Sequence, residues 1–118
     1  MQYMLLIYDD ESRFAAMSKE ALQQLYSDYG TFTQDLIASG VLESGSELSP
    51  IATATTVRVR NGKTQTTDGP FAETKEQLGG YYIINVDNLD EAIKWAAKVP
   101  SAFGGSIEVR PLVKDQPQ

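Results

Sequence analysis

Two short segments of the chain are apolar at nearly every position, and this pattern limits the folds open to it. They are Tyr3–Tyr8, which stops at the acidic run Asp9–Glu11, and Tyr81–Val86. Because successive side chains of a strand point to opposite faces of a sheet, each segment predicts a central strand that is apolar on both faces. A single layer of helices covers only one face. We therefore expect a partner, most simply a second copy related by a two-fold axis, to bury the other.

Two further segments have the periodicity of amphipathic helices. In the first, Ser18 is a suitable N-cap, apolar residues recur every three or four positions from Leu22 to Ile37, and Gly40 follows where helices commonly end. In the second, Asn88 with Glu91 forms a loose capping box before an apolar stripe that Pro100 closes. Both are predicted to pack on the same face of the sheet.

The middle of the chain carries a strong hairpin signal. Asn61 and Gly62 separate the Thr- and Val-rich stretch 51–60 from the stretch 63–67, which predicts a two-residue turn with Arg60 opposite Lys63. The face containing Val57 and Val59 is predicted to meet the helices. The flanking segments are polar: residues 43–50 are predicted to be a loop, and 68–80 a connection with a helical turn at Pro70.

The order of these elements predicts an α+β fold. A last strand from Ser106 to about Leu112 completes a ferredoxin-like βαββαβ sandwich, an antiparallel sheet with its helices on one face. With 118 residues, the chain is predicted to form a single domain over 1–118, with a polar tail at about 113–118.

The composition excludes several kinds of chemistry. The chain has neither cysteine nor histidine, which removes thiolate nucleophiles, disulfides, histidine-based triads and nitrogen- or sulfur-ligated zinc. We expect no metal site and no cofactor. The net charge is −6, and residues 1–50 carry all of it, with eight acids and two bases. An acidic chain without a basic stripe is not expected to bind nucleic acid.

No apolar run approaches the roughly 20 residues that span a bilayer, so no membrane association is predicted. The first residues lack a positively charged leader and a cleavage site. The expected location is cytoplasmic.

The segment that begins Asp68-Gly69-Pro70-Phe71 and runs through Leu78-Gly79-Gly80-Tyr81 resembles the bacterial DGPF-domain proteins, a branch of the YCII-related family. The resemblance extends to the opening strand, to Ala54–Arg58, to the helix start at Asp90–Ala92 and to Glu108–Pro111. It implies a dimeric α+β barrel in which two ferredoxin-like subunits pack sheet against sheet. It also implies an association with extracytoplasmic-function sigma factors, near which DGPF proteins tend to be encoded.

The relatives' proposed site pairs a histidine with an aspartate, and here only the aspartate has a counterpart, Asp68. Asp68 is predicted to be either a general base or the cap of a Gly69-Pro70 turn. Glu73 is the second candidate catalytic residue. With Lys75 and Glu76 it forms either a ligand-orienting cluster or a solvated turn with weak ion pairs. Glu73 and Asp68 are also the oxygen ligands that a divalent cation would use, but two carboxylates without a third ligand are a weak metal signal.

Arg58 and Arg110 alternate with valines in their strands and are predicted to point into the space between subunits. Each requires either a carboxylate, such as Glu108 for Arg110, or an anionic ligand. Tyr8 is predicted either to line the same space or to pack in the interface.

The sequence thus favours a YCII-related homodimer that binds a small anionic molecule in a barrel pocket. Asp68 and Glu73 would be catalytic, and Arg58, Tyr8, Arg110 and Lys75 would bind the ligand. Any reaction would be cofactor-independent proton transfer or lyase-type chemistry. The alternative is a non-catalytic sensor or adaptor acting with a sigma factor.

Overall fold

The computed structural model describes residues 1–114 and contains six strands and three α-helices in that range. The strands are β1 Gln2–Asp9, β2 Leu42–Glu47, β3 Thr55–Arg60, β4 Lys63–Asp68, β5 Gln77–Asn85 and β6 Ser106–Pro111. The helices are α1 Glu11–Ala16, α2 Lys19–Ala38 and α3 Leu89–Ala96. Short 3-10 turns occupy Ile51–Thr53 and Pro100–Phe103. The end of the predicted tail, 115–118, lies outside the described residues.

Four strands form one antiparallel sheet in the order β2-β5-β1-β6. The helix α2 connects β1 to β2, and α3 connects β5 to β6, so each crossover passes over one intervening antiparallel strand. This is the split βαβ arrangement of a ferredoxin-like fold, as predicted. Ser18 and Asn88 cap α2 and α3 by accepting hydrogen bonds from the backbone amides of Ala21 (3.1 Å) and Glu91 (3.0 Å).

The core lies between the helices and one face of the sheet. Along β1, Tyr3, Leu5 and Ile7 are buried on this face, while the residues between them are only half-buried. Phe32 and Leu36 of α2 cover them. The two-sided apolar pattern of β1 is therefore confirmed: one set of side chains forms the core, and the other lies on an open face.

The prediction of a loop at 43–50 is wrong, because residues 42–47 form the edge strand β2. Its composition is that of a loop, but its backbone pairs with β5, with Gly45 opposite Tyr82 and Ser46 opposite Tyr81. A Cβ at Gly45 would lie 2.8 Å from the Tyr82 ring. The glycine that made this segment resemble a loop is needed for the close approach of β2 to that ring.

The hairpin turn and its register are confirmed, since Arg60 lies opposite Lys63, and Asn61 and Gly62 have positive φ values of 54° and 74°. Its placement differs from the prediction. Strands β3 and β4 form a separate two-stranded sheet, and Val57 and Val59 are each 59% exposed instead of packing against the helices. The first strand of the hairpin, β3, begins at Thr55 and not at Ile51, because Ile51–Thr53 form a 3-10 turn.

The predicted helical turn at Pro70 is also wrong. Residues 69–76 are irregular, and Asp68 is the last residue of β4 rather than a helix cap. Gly69 has a φ of 98°, which turns the chain away from a helical path. The side chains of Thr74 and Gln77 donate hydrogen bonds to the backbone carbonyls of Glu76 and Thr74. These two carbonyls therefore have hydrogen-bond partners without a helix.

Candidate functional site

The first half of α2 does not pack tightly on the sheet, and a cavity of ≈ 960 Å³ that is about half open to solvent lies beneath it. The buried residues of α2, Phe32 and Leu36, both belong to its second half. Residues from α1, α2, β1, β2 and β5, from the loop after β2 and from the 3-10 turn Pro100–Phe103 line the cavity. Its apolar lining includes Ile7, Phe14, Leu22, Leu25 and Leu42.

Small residues from two strands form part of the lining: Gly45 and Ser46 of β2, and Gly79 and Gly80 of β5. The pairing of β1 with β5 shifts at this point, because Ile7 lies opposite Gly80 and Tyr8 lies opposite Leu78. Gly79 is the extra residue of this β-bulge. Bulges of this kind often lie beside functional sites.

A buried carboxylate lies where β1 reaches the cavity. Asp9 is 5% exposed, and its Oδ2 lies 3.2 Å from a guanidinium nitrogen of Arg13. Its Oδ1 accepts the backbone N–H of Asp10 at 2.8 Å. Gly104 and Gly105 pack closely here: a Cβ on Gly104 would overlap the Arg13 guanidinium, and one on Gly105 would overlap the Tyr8 carbonyl oxygen. The sequence prediction missed this pair, whose signal was the i, i+4 spacing of Asp9 and Arg13.

Two hydrogen-bonded pairs of hydroxyl groups also line the cavity. The Tyr29 hydroxyl donates to Ser101 Oγ at 2.6 Å, and the hydroxyls of Thr33 and Tyr82 lie 2.8 Å apart. Burial raises the pKa of Tyr29, so its phenol is neutral at pH 7 and can act as a hydrogen-bond donor. The cavity thus combines an apolar wall with several hydroxyls and three carboxylates, of which Asp9 is buried.

Two contacts cross the rim of the cavity. The Tyr26 hydroxyl of α2 donates to Glu47 Oε2 of β2 at 2.9 Å, and the backbone N–H of Ile51 donates to Glu11 Oε2 at 3.0 Å. The hydrogen bond and the charge of Glu47 raise the pKa of Tyr26. Each contact joins elements that are distant in sequence.

The Tyr26–Glu47 contact gives a testable pH dependence. Because the pKa of Tyr26 is raised in the folded state, this contact stabilises the protein below about pH 10 and is lost as pH rises through the raised pKa. We expect Glu47→Gln to lower the pKa of Tyr26 towards its ordinary value, as measured by NMR titration of the tyrosine rings. Tyr29 is the internal control, because burial is the main cause of its shift. An unchanged Tyr26 pKa in the variant would contradict this contact.

The site residues predicted from sequence lie elsewhere, and none of the six lines the cavity formed within residues 1–114. Asp68 and Arg58 are exposed and alternate in register, so they project from opposite faces of the hairpin. They do not converge within one subunit. Glu73 is exposed in the irregular segment before β5. Lys75 is exposed near Asp10, whose pKa is lowered mainly by hydrogen bonds from Ser12 and further by the charges of Lys75 and Arg13.

Tyr8 and Arg110 lie on the open face of the sheet. Arg110 Nε is 3.3 Å from Glu108 Oε2, so the carboxylate partner considered for this arginine is present. The Tyr8 hydroxyl donates to the other oxygen of Glu108 at 3.4 Å. These three side chains form one polar group at the β6 side of the open face.

Neither a cluster of metal ligands nor a membrane-spanning helix is found among residues 1–114. Within residues 1–114, no group of three or more acidic side chains is placed to hold a metal ion. No helix in the same range is both long enough and apolar enough to cross a bilayer.

The architecture defines the chain as a ferredoxin-like α+β protein with a cavity between its helix layer and its sheet. Residues 1–115 match the YCII-related domain, and the chain belongs to this family. It is also 41% identical over 119 residues to an uncharacterized protein of Rhizobium meliloti (strain 1021), an alignment that covers 99% of this chain and 96% of that protein. The family predicted from the sequence is confirmed.

Proposed function

We propose that the protein is a homodimer that binds a small molecule in the cavity between α2 and the sheet. The observation that carries the proposal is the cavity itself: ≈ 960 Å³, largely apolar, with Asp9 at one end. Ligand sites of small proteins commonly enclose about 300–1,000 Å³ and place a few polar groups on an apolar lining. The volume and the chemistry of this cavity both fit that description.

If the bound molecule also reacts, Asp9 is the candidate acid–base group. Its carboxylate is held by Arg13 and by the Asp10 amide, so its position is fixed before a ligand arrives. Tyr29 supplies a neutral hydroxyl to the same cavity. This set supports proton transfer without a cofactor. The proposed base is therefore the buried carboxylate of Asp9 and not Asp68, which is exposed on the hairpin.

The open face of the sheet supports the homodimer. Its centre is apolar and only half-buried, and consists of Met4, Leu6, Tyr8, Tyr81 and Ile83. Serines of β2 border it on one side, and Glu108 and Arg110 on the other. An apolar centre with a polar rim is typical of a protein interface. Across a two-fold axis, the opposite charges of Glu108 and Arg110 can also meet their counterparts on a second copy.

The hairpin β3–β4 also supports the proposed homodimer, independently of the open face. An isolated two-stranded sheet is marginally stable in water, yet β3–β4 exposes Val57 and Val59. The radius of gyration is 16.4 Å, larger than the roughly 13 Å expected of a compact chain of this length. A second copy would cover both the hairpin valines and the open face. Arg58 lies on the opposite face of this hairpin, and its predicted role as a clamp for an anion stays a prediction.

Filling the cavity tests the proposed site. We expect Gly79→Leu to abolish the binding of small aromatic fragments, because a Cβ at Gly79 has only the Ile7 carbonyl within 4 Å, at 3.9 Å, and a larger side chain would occupy the cavity. NMR spectra of the labelled protein with matched neutral, cationic and anionic fragments provide the measurement. Shifts in the parent protein should concentrate on amides of the lining, such as Gly45 and Tyr82.

The matched control is Gly62→Asn, at the hairpin turn far from the cavity along the chain, where asparagine tolerates a positive φ. It should bind the fragments as the parent does. If fragments shift amides away from the cavity, or if Gly79→Leu binds them equally well, the site is not this cavity.

A further inference from the structure

We propose that the cavity selects a cationic ligand, an amine attached to an apolar body, rather than the anionic molecule that the sequence suggested. This inference rests on the proposed function, because it names the ligand class of the same site. It depends on the charges of the cavity, on its aromatic lining and on the distribution of charge along the chain.

The charged groups that line the cavity are all carboxylates. Asp9, Glu11 and Glu47 are among its lining residues, and among residues 1–114 no lysine or arginine is. Arg13 balances Asp9 from outside. The other two accept hydrogen bonds from uncharged donors, a backbone amide and a tyrosine hydroxyl, and neither belongs to an ion pair of the described chain. Among residues 1–114, no basic group therefore lies within 4.0 Å of either of these two carboxylates.

Aromatic residues and aliphatic residues share the remaining wall. Phe14, Tyr26, Tyr29 and Tyr82 line the cavity. Aromatic faces attract ammonium groups, even at sites that water can reach. Leu22 and Leu25 can contact the apolar part of the same molecule. A cation with a hydrocarbon body matches both parts of this wall, whereas a small carboxylate or phosphate would meet carboxylates without a compensating base.

The net negative charge of the chain also favours a cationic ligand. Most of the cavity is built from β1, α1, α2 and β2, all within residues 1–50, which carry the entire net charge of −6. A concave site lined by one sign of charge raises the local concentration of the opposite ion. Cations are thus attracted to the cavity, and anions are repelled before they reach it.

Three probes of similar shape test the charge of the ligand: phenethylamine, phenethyl alcohol and hydrocinnamate. We expect the amine to bind about ten times more tightly than the alcohol, an effect of the size of one charge-assisted contact, and hydrocinnamate to bind most weakly. Isothermal titration calorimetry at low ionic strength measures the three affinities. Added salt should reduce the preference for the amine.

Two variants separate the local charge from the total charge. Glu47→Gln should weaken phenethylamine binding about fivefold and leave the alcohol unchanged, because it removes one lining carboxylate at nearly constant shape. Glu20→Gln removes the same charge from an exposed position in the first turn of α2, outside the lining, and should leave both affinities unchanged.

The possible results distinguish the two proposals. If hydrocinnamate or the alcohol binds in the cavity as tightly as the amine, the site is correct and the cationic ligand class is wrong. If Glu47→Gln has no effect on amine binding, or the same effect as Glu20→Gln, the carboxylates of the lining do not select the ligand. If no probe shifts the lining amides, the cavity is not a binding site, and both proposals fail.

Discussion

Replacing Ile83 by aspartate is expected to convert the proposed dimer to a monomer. Ile83 lies at the centre of the open face, half-buried and paired with Met4 of β1. In a sheet-to-sheet dimer its side chain would be fully enclosed, and an unpaired carboxylate there would cost several kcal/mol, or ~100-fold or more in dimer affinity. Sedimentation velocity at micromolar concentration would measure the change, and circular dichroism would show whether the monomer stays folded.

Two control variants test whether the effect comes from a charge at the centre of the open face. Ile83→Val keeps the apolar surface and should remain dimeric. Ser44→Asp places the same charge on the β2 strand directly opposite Ile83, at the border of the face, where water can reach it, and should weaken the dimer far less. A parent protein that sediments as a monomer would refute the proposed dimer. An Ile83→Asp variant that stays dimeric would place the interface elsewhere, and Val59→Asp would then test the hairpin.

The fold could be predicted where local chemistry decides the structure. Asn61-Gly62 predicts its turn because few residue pairs adopt two consecutive positive φ values, and Ser18 and Asn88 predict helix starts through their side-chain acceptors. The strand β2 could not be predicted in this way. Its only reason to be extended is the partner strand β5, and that pairing is a property of the tertiary structure. The position of the hairpin outside the main sheet was unpredictable for the same reason.

The candidate site could not be assembled from the sequence, because its parts come from three strands, two helices, a loop and a 3-10 turn. The motif beginning at Asp68 carried the family resemblance and so drew attention to the hairpin and the segment after it, where Phe71 is 81% exposed. In the sequence, Asp9 begins an acidic run that ends a strand. Its burial follows from the alternation that places it on the same face as Leu5 and Ile7, which the sequence already contained.

The two surfaces of the sheet can serve different purposes. The helix face carries the cavity, and the open face carries the proposed dimer interface, so a ligand can bind without contact with the partner. The exposed motif near Phe71 lies apart from the cavity lining, and an interface role would account for its apolar ring. The association with a sigma factor rests on the family resemblance alone and stays a prediction, as does the cytoplasmic location.

The second large effect is expected at Gly105, where alanine should destabilise the protein by about 1–3 kcal/mol. A Cβ there would overlap the Tyr8 carbonyl oxygen and lie 3.0 Å from Cγ of Asp9. Tyr8 and Asp9 belong to the central strand β1, and the Gly105 amide donates to the Ser101 carbonyl at 2.7 Å. The methyl group therefore cannot be accommodated by rotating a side chain. The backbone must move, and Asp9 moves with it.

Two other glycines provide the comparison for Gly105. Gly30 lies inside α2 with open space around its Cβ position, so Gly30→Ala should stabilise the protein by about 0.5–1 kcal/mol through helix propensity alone. Gly104→Ala would displace only the flexible end of Arg13, so its cost should be smaller than that of Gly105→Ala. Urea unfolding of all three variants at one protein concentration measures these differences, since a dimer's apparent stability depends on concentration. If Gly105→Ala is no less stable than Gly104→Ala, the close contact between the start of β6 and the end of β1 is wrong, and with it the fixed position of Asp9 in the cavity.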